Sequence, residues 1–126
     1  MVNQKIHGDK KLISIEQIMQ YADASGDHNP LHLDETFASK TMFGKRIAHG
    51  MFVLSLIAEI MNKSFPNEWN DSGSLNIKFR APVFLGDEVV AIGELRSSND
   101  ASIIYSVKVI NQDGIEVITG DAILSS

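Results

Sequence analysis

The sequence predicts an α+β domain in which a curved antiparallel β-sheet wraps around one long buried helix, and three observations carry that expectation. The first is HGMFVLSLIAEIMNK, residues 49–63, which is apolar on nearly every face of a helix; such a helix has to be enclosed. The second is a series of segments rich in β-branched residues, at 74–83, 87–97, 101–111 and 115–125, which read as strands. The third is the turn signal between each pair of segments: Leu85-Gly86-Asp87, Asn99-Asp100 and Asp113-Gly114. These turns predict antiparallel pairing of neighbouring strands. A sheet with one apolar face needs a partner layer and the apolar helix needs a cover, so each supplies what the other lacks.

The N-terminal half is read from its caps and breakers. Ser14 followed by Gln17 has capping-box spacing, and Ile15, Ile18, Met19 and Ala22 recur on one face, predicting a short amphipathic helix to about Ala24. Pro30 lacks an N–H and biases Asn29 away from helical geometry, so residues 25–32 are expected to form an ordered loop. Asp34 then caps a short helix through Ala38.

One domain, taken as residues 1–126, accounts for the whole length. Hydrophobic residues at 44% and charged residues at 21% are those of a globular chain with a core, and disorder is a poor reading. No apolar run reaches the roughly 18 residues of a membrane span, and the N-terminus lacks the apolar stretch of a secretory signal, so a cytoplasmic location is expected. The absence of cysteine excludes disulfides, thiolate metal sites and cysteine nucleophiles. A formal net charge of −5 argues against general affinity for nucleic acid or an anionic membrane surface.

Reactive side chains are densest in SGDHNPLHLD, residues 25–34, with AHGM following at 48–51. Through SGDHNPLHLDETFA, FGKRIAHGM and LNIKFRAPVFLGDEV, three motifs in order over almost the whole chain, the sequence resembles the MaoC-like (R)-specific enoyl-CoA hydratases. The resemblance implies a single hot-dog domain that hydrates trans-2-enoyl thioesters of coenzyme A or of an acyl carrier protein to (R)-3-hydroxyacyl thioesters. It implies no cofactor and no metal, the coenzyme A thioester being the substrate, and it implies a homodimer paired edge to edge. In that family the Asp and His of the D-x-N-P-L-H pattern hold and activate the attacking water; here they are Asp27 and His32, and the glycine of HGM is Gly50.

The chemistry asks for these residue types independently. Adding water across the α,β double bond of a thioester needs a base for the water, an acid for the α carbon and a donor for the oxyanion. An imidazole and a carboxylate can gather around one water, and Gly50, at the expected helix start, offers a main-chain N–H with no intrahelical partner and no side chain in the way. Taken singly, Asp27 reads more readily as a turn residue and His32 as a buried histidine bonded to backbone; together, followed by AHGM, they read as the catalytic pair. Asn29 and Pro30 shape the loop. Asn29, Phe52, Trp69 and Phe79 form the expected substrate-binding set, with Trp69 and Phe79 the foremost tunnel-lining residues. Each of the cations Lys45, Arg46, Lys63, Lys78 and Arg80 is a weak partner for coenzyme A phosphates. Some family members carry a serine eight residues after the HGM glycine, where this chain has Ala58, so that hydrogen bond to the aspartate is absent here.

Three other readings compete. His28, His32, Asp34 and His49 satisfy a two-histidine, one-carboxylate metal inventory, but Pro30 between His28 and His32 removes the helical geometry an HxxxH site needs. His28 is then expected to face solvent and His49 to pack or hydrogen-bond at the helix start. A hot-dog thioesterase would place an acid on the central helix; Glu59 is the acid there, more than two turns from Gly50 at ~1.5 Å per residue. A non-catalytic acyl-CoA-binding or structural subunit would have no need of Asp27, His32 and Gly50 together.

Overall fold

The computed structural model describes residues 2–125. Two short strands, β1 (Lys5–His7) and β2 (Lys11–Leu12), precede helix α1 (Ile15–Ser25), and α2 (Pro30–Leu33) and α3 (Glu35–Ser39) follow. The long helix α4 (Gly50–Ser64) and short α5 (Glu68–Ser72) lead into strands β3 (Gly73–Phe79), β4 (Glu88–Ser98), β5 (Ser102–Ile110) and β6 (Glu116–Ser125). The sheet runs β1-β4-β5-β6-β3, all antiparallel, with β2 continuing along β4 beyond β1. Among the described residues, no helix is long and apolar enough to cross a membrane.

Local signals act as expected in α1 and α3. Ser14 and Gln17 make both bonds of the capping box, and Gly26 at φ 80° ends α1 by donating its N–H to the Ala22 carbonyl. That left-handed conformation is open to glycine at little cost. Asp34 accepts the Phe37 N–H at 3.1 Å and caps α3.

The core lies between α4 and the concave face of the sheet. Val53, Leu56, Ile57, Ile60 and Met61 are the buried face of α4. They are packed in one cluster with Val89 and Ala91 of β4, Tyr105, Val107 and Val109 of β5, and Val117, Ile118, Ala122 and Leu124 of β6. The period-2 alternation of β5 puts Tyr105, Val107 and Val109 on one side. Burying one side chain of the size of Ile57 or Met61 stabilises the fold by about 1.5–3 kcal/mol.

Three expectations need correction. Residues 30–33 form the helical turn α2, because Pro30 sits at its first position, where the missing N–H has no intrahelical role. Strand β3 pairs with β6 and not with its sequence neighbour β4. The intervening segment is claimed by the chain leading into α4: Ala48 donates to the Val83 carbonyl at 2.8 Å and Ile47 bridges Phe84. Helix α4 is also not enclosed on all sides by its own chain, since Met51 is 58% exposed and Ser55 faces outward beside it.

Candidate active site

The chemistry-bearing residues converge where α1, α2 and α4 meet. Asp27 lies in the three-residue link between the end of α1 and the cap of α2, and its two carboxylate oxygens do different things. Oδ1 accepts the Asn29 N–H at 3.2 Å, closing the turn. Oδ2 faces His32 Nε2 at 4.0 Å. Asn29 in turn accepts the Leu31 N–H at 3.0 Å as the cap of α2, which sets the direction in which His32 leaves the helix.

His32 is buried, and its Nδ1 donates to the Ile47 carbonyl at 2.8 Å. In the neutral ring this leaves Nε2 as an acceptor, 4.0 Å from Asp27 Oδ2. A separation of 4.0 Å is too long for a direct hydrogen bond. A water ~2.8 Å from each atom would bridge them at an angle of about 90°.

His49, the residue before α4, is 2% exposed, and its Nε2 donates to the Asp27 main-chain carbonyl at 2.9 Å. Its ring stacks on His32, with centroids 3.8 Å apart and planes 26° apart, and meets Tyr21 of α1 at 4.9 Å. Its Nδ1 is buried without a hydrogen-bond partner among the described residues, an arrangement that costs about 1–3 kcal/mol.

Gly50 is the first residue of α4, so its N–H has no partner within the helix and lies at the positive end of the helix dipole. A Cβ at this position would stand 3.0 Å from Phe79 Cε1. Gly50, His32 and Phe79 line a cavity of about 330 Å³ whose apolar walls include Phe43, Val53 and Val83.

His32, Gly50 and Phe79 therefore line one space, and Asp27, which is not among the lining residues, faces His32 beside it. Phe52 instead packs on Tyr21, with ring centroids 5.5 Å apart, and Trp69 packs against the core from α5, over Gly73. Neither is among the residues lining the cavity, and Asn29 serves as the α2 cap. Of the five cations named above, Arg80 lines the cavity and is held by Thr119 Oγ1 at 3.0 Å. Ser55 donates to the Phe52 carbonyl and does not stand in for the serine that Ala58 replaces. His28 pairs with Asp23 at 3.1 Å, which raises its pKa, and Asp34 is occupied as a cap, so the four-residue metal set does not assemble. Asp27, His32 and His49 do bring one donor atom each within 4.8 Å of one another. The stacked imidazoles keep their in-plane lone pairs in nearly parallel planes, a poor arrangement for converging on one ion. Glu59 is exposed and pairs with Lys11 at 3.8 Å, away from these groups.

An antiparallel sheet wrapped around a central helix, with a carboxylate and an imidazole poised beside that helix's N-terminus, defines a hot-dog protein of the hydratase and dehydratase class. The chain belongs to the MaoC-like domain family, whose model matches residues 2–114. It is 33% identical over 125 residues to the (R)-specific enoyl-CoA hydratase of Aeromonas caviae, covering 98% of this chain and 92% of that protein. It is 37% identical over 119 residues to a mitochondrial 3-hydroxyacyl-[acyl-carrier-protein] dehydratase of Arabidopsis thaliana, covering 90% and 70%. The solved structure of the (R)-hydratase from A. caviae superposes with a TM-score of 0.86 at 31% identity, over 99% of this chain and 96% of that one.

Proposed function

We propose that this chain hydrates trans-2-enoyl thioesters to (R)-3-hydroxyacyl thioesters and catalyses the reverse dehydration, using a water held between Asp27 and His32. The observation that carries the reading is the 4.0 Å gap between Asp27 Oδ2 and the Nε2 of His32, a residue that lines an apolar cavity. The water's oxygen bonds to the β carbon while its proton passes to His32 Nε2. The π electrons move to the thioester oxygen, which the Gly50 N–H stabilises. The Asp27–His32 pair then returns one proton to the α carbon as the enolate electrons form the new C–H bond. Because both new bonds arise from one side, addition is syn.

No step requires a metal or an organic cofactor. The apolar cavity takes the acyl chain, and Arg80 at its rim offers a positive charge to a phosphate of coenzyme A or of a carrier-protein arm. A second copy of the chain covers strand β3, which among the described residues pairs with β6 alone, together with the exposed Phe79 and Met51.

The test is the loss of conjugated thioester absorbance with a series of trans-2-enoyl-CoA esters from four carbons upward, followed by chiral analysis of the product. Turnover to the (R) alcohol is expected. Tight acyl-CoA binding without turnover at any chain length would leave a binding protein in place of an enzyme.

A further inference from the structure

We propose that His49 is a positioning residue for hydration, fixing the Asp27 main chain relative to His32 without touching the substrate; the inference rests on the reading of Asp27 and His32 given above.

His49 occupies the N-cap of α4, yet its side chain makes no capping bond. Helix N-caps are usually Ser, Thr, Asp or Asn because those side chains satisfy first-turn N–H groups, so capping does not account for an imidazole here. Packing does not account for it either. An apolar ring of similar shape would fill the same buried space beside Tyr21 and His32 without leaving Nδ1 unpartnered. What such a ring cannot do is donate a hydrogen bond, and His49 Nε2 donates to the Asp27 carbonyl at 2.9 Å across 22 residues of sequence. His49 is not among the cavity-lining residues, whereas His32 and Gly50, which flank it in the fold, are.

The segment entering α4 therefore anchors the whole site. The Ile47 carbonyl orients His32 through Nδ1, the His49 imidazole holds Asp27 by its backbone and His32 by its ring face, and Gly50 presents its N–H. Without the His49 donor, the Asp27 link keeps its local turn through Oδ1 but loses its attachment to the helix. A displacement of about 1 Å in such a group can lower the rate by ~100-fold.

The experiment compares His49→Phe and His49→Gln in the full chain, with trans-2-butenoyl-CoA as substrate and Asp27→Asn as reference. Phe keeps the ring and removes the donor; Gln removes the ring and keeps an amide donor at similar reach. The expected result is a kcat at least ~10-fold lower in His49→Phe with KM within ~2-fold of wild type, and recovery to within ~3-fold of wild-type kcat in His49→Gln. Should His49→Phe fail to fold, His49→Asn takes its place with the same expected loss, since its shorter amide falls short of the carbonyl. Wild-type kcat in the donor-less variant, or equal loss in folded His49→Gln, overturns the proposal while Asp27→Asn remains inactive. If Asp27→Asn is itself fully active, it is the assignment of Asp27 that fails.

Discussion

His32 Nε2 and Asp27 Oδ2 face each other across 4.0 Å, while the other polar atom of each side chain is committed elsewhere: Nδ1 to the Ile47 carbonyl and Oδ1 to the Asn29 N–H. Each group is held by one atom and turns the other toward its partner. The turn-forming bond of Asp27 is thus compatible with the water-holding role proposed for it, because the two use different oxygens.

Asp27→Asn and His32→Gln should each lower kcat by at least ~100-fold with little change in KM, since each keeps the size of the side chain while removing its ability to exchange a proton. Asn retains an oxygen to accept the Asn29 N–H, so the turn should survive. With both groups acting on one water, the double mutant should be hardly slower than either single one. Steady-state rates on variants with matching thermal melts make the comparison, and multiplicative losses would mean that the two groups act separately.

Gly50→Ala should separate activity from stability. Alanine suits the first turn of a helix, and the new methyl group meets only the Cε1 edge of the Phe79 side chain, which can turn aside by a few tenths of an ångström. Tm should therefore be unchanged or slightly higher. The methyl group and the displaced ring both intrude where a thioester oxygen would meet the Gly50 N–H, so kcat/KM should fall by at least ~10-fold, or ~1.4 kcal/mol of transition-state stabilisation.

His28 should prove a bystander to the chemistry. Its hydrogen bond to Asp23 raises its pKa above the ordinary 6.5; desolvation opposes the rise, and the Gly26 main chain and the Asp23 and Asp27 charges add to it. NMR titration should find His28 above an ordinary histidine, and Asp23→Asn should bring it down. A raised folded-state pKa gives stability that is present below the unfolded value and lost as pH rises through the folded one. The stability difference between wild type and Asp23→Asn should accordingly appear in mildly acidic solution and vanish at alkaline pH. His28→Ala should turn over at the wild-type rate.

Truncating the helix that carries the site tests the architecture. Ile57→Ala removes a fully buried side chain from the inner face of α4 and should cost about 2–5 kcal/mol in a denaturant melt. Ser55→Ala, on the exposed face of the same helix, should change stability by less than ~0.5 kcal/mol.

What the sequence determined by itself is what depends on neighbours a few residues apart. The Ser14–Gln17 capping box, the Asp34 cap and the apolar period of residues 49–63 all involve groups within one or two turns, so spacing alone reveals them. Asp27, His32 and Gly50 were singled out by a different signal, the resemblance of SGDHNPLHLDETFA and FGKRIAHGM to the MaoC-like hydratases, and the structure brings Asp27 and His32 to 4.0 Å. Tertiary structure decided everything that depends on contacts between distant segments. Strand β3 lies beside β6 because the 80–87 segment is engaged by the entrance to α4, a competition that turn signals cannot register. Phe79 reaches the cavity while Trp69, the other foremost candidate in the sequence, and Phe52 pack elsewhere. Most telling is His49, whose partners Asp27 and His32 lie 22 and 17 positions away along the chain. A periodicity argument ends within a few turns of helix or strand, whereas the packing of α1, α2 and α4 against one another brings those three side chains together.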